Sequence, residues 1–125
     1  MNLALNQDLG LFILRLAVAA VFVYHSLPKL KTPAKMSQGM GWPAWKVVLL
    51  GAVELGSSIS LLTGFHFRWG AALLALVMLG AIYHKIFKWK MKFSMSGAVG
   101  WEFDLILLAA NAAIFFVGAG AWRLF

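Results

Sequence analysis

Two histidines, His25 and His84, and two neighbouring carboxylates, Glu102 and Asp104, are the side chains of this 125-residue sequence best suited to proton and ligand chemistry. An imidazole titrates near neutral pH and binds metals or haem iron, and a carboxyl group in apolar surroundings keeps a proton that water would remove. Gathered in one pocket, with Lys29 one helical turn beyond His25, these groups can hydrogen-bond the carbonyls of a quinone or relay its protons. A quinone is therefore the candidate ligand, with His25, His84 and Glu102 as the candidate cofactor-binding residues. A plainer reading stands beside this one. The histidines then belong to a membrane interface, Glu102 stabilises the positive end of a helix, and Lys29 snorkels. Asp104 and Asn111 are seven apart and share a helix face, whereas Glu102 points beside Ala109 and Ala113, so at most one of the two acids is expected to face the centre.

Deeper in the apolar sequence lie Arg15 and Glu54. Arg15 stands 12 positions before the end of the first apolar run and Glu54 stands 10 positions after the start of the second. At about 1.5 Å per residue they reach similar heights, which predicts an Arg15–Glu54 ion pair. Gly51, Ser57 and Ser58 share the face of Glu54, and Asn111 arrives at about the same height from the fourth run. The expected mid-membrane polar layer is thus Arg15, Glu54, Ser57, Ser58 and Asn111. The polar pocket expected from the whole sequence comprises His25, Ser57, Ser58, His84, Glu102, Asp104 and Asn111. None of these is singled out as catalytic.

Other chemistries lack their residues. With no cysteine there is no disulfide, thiolate metal site, cysteine nucleophile or iron–sulfur cluster. His25 and His84 have no His-x-x-x-His or Glu-x-x-His spacing, so no metal site is expected, and haem between them is disfavoured and testable by its Soret band. A phosphate-binding glycine loop, a serine triad and a dinucleotide fingerprint are all missing, so nucleotide-dependent chemistry would need another subunit.

The elements that position these groups follow from composition. The chain is 62% hydrophobic and 12% charged, far from the balance of a soluble domain, about 45–50% apolar and about 25% charged, and its length suits a single domain, residues 1–125. A bilayer core about 30 Å thick needs about 20 apolar residues per helix. Four such runs occur, at about 9–27, 44–64, 69–87 and 101–120, predicting an all-α integral membrane four-helix bundle. The six tryptophans, Trp42, Trp45, Trp69, Trp89, Trp101 and Trp122, all fall at run boundaries, where indole prefers the headgroup level.

Lysines set the expected orientation. Lys29, Lys31, Lys35 and Lys46 flank one connection, Lys85, Lys88, Lys90 and Lys92 the other, and the opposite face offers only Arg68 and Arg123. Basic residues stay in the cytoplasm, so both termini are predicted on the outer side. The net charge of +7 then suits anionic lipid headgroups and requires no nucleic acid. A cleaved signal peptide is not expected, because the start has no basic residue and Arg15 interrupts the run.

An internal repeat is also legible. Tyr24-His25 with Lys29 and Lys31 recurs 59 residues later as Tyr83-His84 with Lys88 and Lys90, and the same offset pairs Ser37 with Ser96 and Gly41-Trp42 with Gly100-Trp101. Two parallel-repeat helical hairpins would produce this pattern. Repeated selection of Tyr, Lys and Trp by membrane interfaces is the alternative.

The run LRLAVAAVFVYHSLPK ending at Lys29, the Glu54-Leu55-Gly56 triplet, the stretch LLTGFHFRWGAALLALVML and the Gly100-Trp101-Glu102 start resemble the DoxX family of small four-helix membrane proteins. The resemblance covers nearly the whole chain. Its most specific parts are Arg15, His25, Lys29, Glu54, Leu55, Gly64, Arg68 and Glu102, and it departs at Ser26, where the family usually has glycine. The resemblance implies a multi-pass protein of the bacterial cytoplasmic (inner) membrane, some of whose relatives are linked to quinone-coupled sulfur oxidation or other membrane oxidoreductase complexes. The leading expectation is therefore a membrane subunit of a quinone-linked oxidoreductase complex, with the electron carrier on a partner subunit. A non-catalytic assembly or anchoring protein and a small ion-coupled transporter acting through Glu54 are the alternatives. Small residues at Ala52, Gly56 and Ser60 would allow a homo-oligomer.

Overall fold

The computed structural model describes residues 3–94, 100–118 and 120. Among these there is no strand, and the chain is all-α: α1 Leu3–Lys31, α2 Pro33–Met40, α3 Ala44–Thr63, α4 Phe67–Tyr83 and α5 Trp101–Val117, with a π-helical turn at His84–Lys88 directly after α4. Of the residues in the sequence pattern, Ser96, Trp122 and Arg123 lie outside the described ones.

The expected count of four helices becomes five among the described residues. The extra one, α2, occupies the connection between the first two apolar runs and has a local cause at each end. Pro33 sits in its first turn, where the missing N–H costs nothing, and Gly41 stops it in the left-handed conformation (φ 72°) with its N–H on Ser37 O at 2.9 Å. The first helix also runs past its expected end at Leu27, continuing through Pro28 to Lys31.

Helix α1 packs chiefly on α3 and α4 chiefly on α5, giving two hairpins that meet along α3 and α4. Glycines permit the closest approaches. A methyl group on Gly51 would lie 2.9 Å from Lys29 Cβ, and one on Gly70 would lie 2.8 Å from Ser60 Oγ. Between the hairpins, Val18, Phe22, Leu61, Ala71, Leu74, Leu107 and Ile114 form the core.

Among the described residues, three helical segments are long and apolar enough to cross a membrane: Asn6–Lys31, Ala44–Thr63 and Phe67–Lys88. Large apolar side chains cover the outside. Trp69, Leu76, Ile106 and Phe116 are all more than 60% exposed, a surface that water would not tolerate and acyl chains would. The five tryptophans described lie at helix ends or in the connections beside them. The two Gly-Trp pairs of the repeat differ locally: Gly41 closes α2 in the left-handed region, and Gly100 is extended and opens α5.

Candidate functional site

At the end of the molecule where α1 finishes and α5 begins, the two hairpins enclose a cavity of about 380 Å³. Its polar lining comes from His25 and Lys29 of α1, Glu54 of α3, His84 and Lys85 of the π-turn and Asp104 of α5. Apolar walls are supplied by Phe22, Trp42, Val77, Trp89, Phe103 and Leu107, among others.

Two ion pairs brace this cavity. Lys29 Nζ lies 3.1 Å from Glu54 Oε1 and donates to Oε2 at 3.2 Å and to the carbonyl of His25 at 3.1 Å. Lys85 Nζ lies 2.6 Å from Asp104 Oδ2. That oxygen is buried and off the direction of a hydrogen bond, so charge rather than hydrogen-bond geometry holds this contact. Both carboxylates are nearly inaccessible, and each is compensated by a lysine from the other helix of its own hairpin.

The two histidines are held differently. The His84 ring bonds through Nδ1 to the carbonyl of Gly80 at 2.8 Å. Aromatic rings surround it: Trp42 at 5.1 Å between centroids, Tyr83 at 5.7 Å and Trp89 at 5.7 Å. Trp42 reaches it from the α2–α3 connection, so the first hairpin supplies part of the second hairpin's histidine environment. His25 packs its ring against Phe103 at 5.6 Å, a contact that also crosses between hairpins. The π-turn itself is closed by Trp89 N–H on His84 O at 2.8 Å, a widening of the kind often found at functional positions.

The expected Arg15–Glu54 pair is corrected by these contacts. Arg15 is buried and donates from Nε to Leu61 O at 2.8 Å and from a terminal nitrogen to Leu62 O at 3.2 Å, near the far end of α3. Leu61 is seven residues beyond Glu54, about 10 Å along the helix. The expectation aligned an α1 ending at Leu27 with the start of α3. In the structure α1 continues to Lys31 and α2 packs against α3, so Lys29, not Arg15, comes level with Gly51 and Glu54.

The other expected site residues separate into two groups. His25, His84, Asp104 and Glu54 line the cavity. Ser57, Ser58 and Asn111 are buried but do not line it. Ser58 Oγ donates to Glu54 O at 2.6 Å and Asn111 Nδ2 donates to Leu107 O at 2.9 Å, each back along its own helix. Ser57 Oγ and Asn111 Oδ1 have no hydrogen-bond partner among the described residues. Glu102 is exposed in the first turn of α5, beside a shallow outer groove with Phe93, Leu105 and Ile106. It is therefore not among the groups that face the enclosed cavity. Sequence reasoning missed Lys85, Trp42, Trp89 and Phe103 as lining residues. The first was visible as the residue after His84 but was read only as part of a basic loop.

Among the described residues no group of three or more His, Asp or Glu could hold a metal ion. What the cavity can do is enclose an apolar ring and offer imidazole nitrogens and lysine donors to its polar edge. Residues 10–89 match the family model described as DoxX. That span contributes every cavity side chain named above except Phe103, Asp104 and Leu107 of α5. No curated protein and no solved structure matches the chain.

Proposed function

Because the chain belongs to the DoxX family of membrane proteins, we propose that it is the membrane subunit of a quinone-linked oxidoreductase complex and that the cavity holds the quinone headgroup. The observation that carries this reading is an aromatic-walled space of about 380 Å³ with two imidazoles at its edge. Its size lies in the roughly 300–1,000 Å³ range of small-ligand sites, and its mixture of apolar wall and few polar groups is what such a ligand needs. With no cysteine in the chain, the electron carrier belongs on a partner subunit.

The same reading has α5, 17 residues long, as a fourth span completing a four-helix bundle in the inner membrane. Both termini lie outside, and the cavity opens toward the cytoplasmic headgroups, where Lys31, Lys35, Lys46 and Lys88 meet anionic lipid.

Thermal unfolding of the purified protein in lipid nanodiscs, with and without added benzoquinones or naphthoquinones, tests the proposal. A saturating ligand at about 100 times its Kd adds about 2.7 kcal/mol and raises the Tm by several degrees. The same Tm with and without every quinone, in protein whose unfolding is cooperative, overturns it.

A further inference from the structure

Resting on the reading of the cavity as a quinone site, we infer that it takes the reduced, hydroxyl-bearing form of the ligand, the quinol, in preference to the quinone, and that His84 makes the choice. The Gly80 carbonyl can only accept, so the contact at 2.8 Å requires the proton of a neutral His84 ring to sit on Nδ1. Nε2 is then left with a lone pair and no donor. It has no partner among the described residues, and the ring around it lines the cavity. A quinol O–H can donate to that nitrogen. A quinone presents only carbonyl oxygens, and would set one lone pair against another.

The remaining polar groups do not make this distinction. Lys29 is turned to the Glu54 carboxylate and the His25 carbonyl, and any donor it has left suits an oxygen of either ligand form. Lys85 contacts Asp104 and has donors to spare, which suit an oxygen of either ligand form. The His25 ring nitrogens have no hydrogen-bond partner among the described residues, so that ring can take whichever tautomer the ligand demands. Only His84 is fixed by the backbone as an acceptor.

Anaerobic binding of short-tailed ubiquinol and ubiquinone to the full-length protein in nanodiscs, at about pH 8.5 where an ordinary imidazole is neutral, tests this. A non-redox pair, 4-decylphenol and its methyl ether, asks the same question with the O–H as the main difference. The expected result is quinol over quinone, and phenol over ether, by about tenfold, with His84→Phe abolishing both preferences. Equal affinities, a quinone preference, or preferences that survive in His84→Phe overturn the inference while leaving the quinone site standing. Absence of binding by either redox form overturns the site and the inference together. If His84→Phe does not fold, ¹⁵N spectra of histidine in the unaltered protein decide: phenol binding moves the Nε2 resonance of His84 upfield by several ppm and leaves Nδ1 nearly in place, and an unmoved Nε2 overturns the assignment.

Discussion

Lys29 and Glu54 show how a buried charge behaves when its partner comes from a neighbouring helix. Their side chains are 12% and 3% exposed, so removing either leaves an uncompensated charge in a medium that solvates it poorly. Lys29→Leu alone and Glu54→Leu alone should each lower stability, by about 3–5 kcal/mol, while the double substitution should recover most of that loss. Unfolding curves of the three variants in detergent check this, and a double variant as unstable as the sum of the singles contradicts it. Asn111 gives the complementary case. Its amide bonds only to its own helix at Leu107 and its carbonyl oxygen has no partner among the described residues, so Asn111→Leu should leave the Tm unchanged or raise it. A fall of several degrees would reveal a partner for that oxygen. At this scale the sequence announces which residues matter. An arginine, a glutamate or a histidine within an apolar run has few reasons to be there, which is why His25, His84, Glu54 and Asp104 stand out by residue type and position alone. Their pairings are hidden, because partner choice depends on relative heights, and those depend on where neighbouring helices end.

Helix ends are the next scale, and they explain the misassigned partner of Glu54. The apolar runs locate α1, α3, α4 and α5 because hydrocarbon requires long uninterrupted segments. Signals for α2 were also present: Pro33 at its start and Gly41 at its end are the ordinary punctuation of a short helix. By contrast, nothing in HKIFK specifies a π-turn, which arises from one extra residue accommodated in the helix and carries no composition of its own. Contacts between elements were legible only where small residues mark them. Gly70→Ala would bring a methyl to 2.8 Å from Ser60 Oγ and 3.0 Å from the Ser57 carbonyl, forcing α3 and α4 apart, whereas Gly56→Ala meets nothing within 4 Å. The first should lower the Tm by several degrees and the second should hold or raise it through better helix propensity, by up to about 1 kcal/mol. Equal effects in thermal melts would show that α3 and α4 do not touch at Gly70.

For the whole molecule, the testable quantity is orientation. The chain has no cysteine, so single introduced thiols report their side of the membrane without background. A membrane-impermeant maleimide added to intact cells should label Phe65→Cys, in the α3–α4 connection, and leave Lys35→Cys on α2 unlabelled until the cells are opened. The reverse pattern inverts the proposed topology. The arrangement of polar contacts has a further consequence. Among the described residues, Lys29 meets Glu54 and Arg15 meets the α3 carbonyls inside the first hairpin, while Lys85 meets Asp104 and Arg68 meets the Phe115 carbonyl inside the second. What passes between the halves is the apolar core and, at the cavity, ring against ring: His25 on Phe103, Trp42 on His84. Each half therefore carries its own polar contacts to these four basic side chains, so two helices can enter lipid at a time. The cavity is then the last part to come into being, created when two finished halves close on one another, so under the proposed function a bound molecule would also fasten them together.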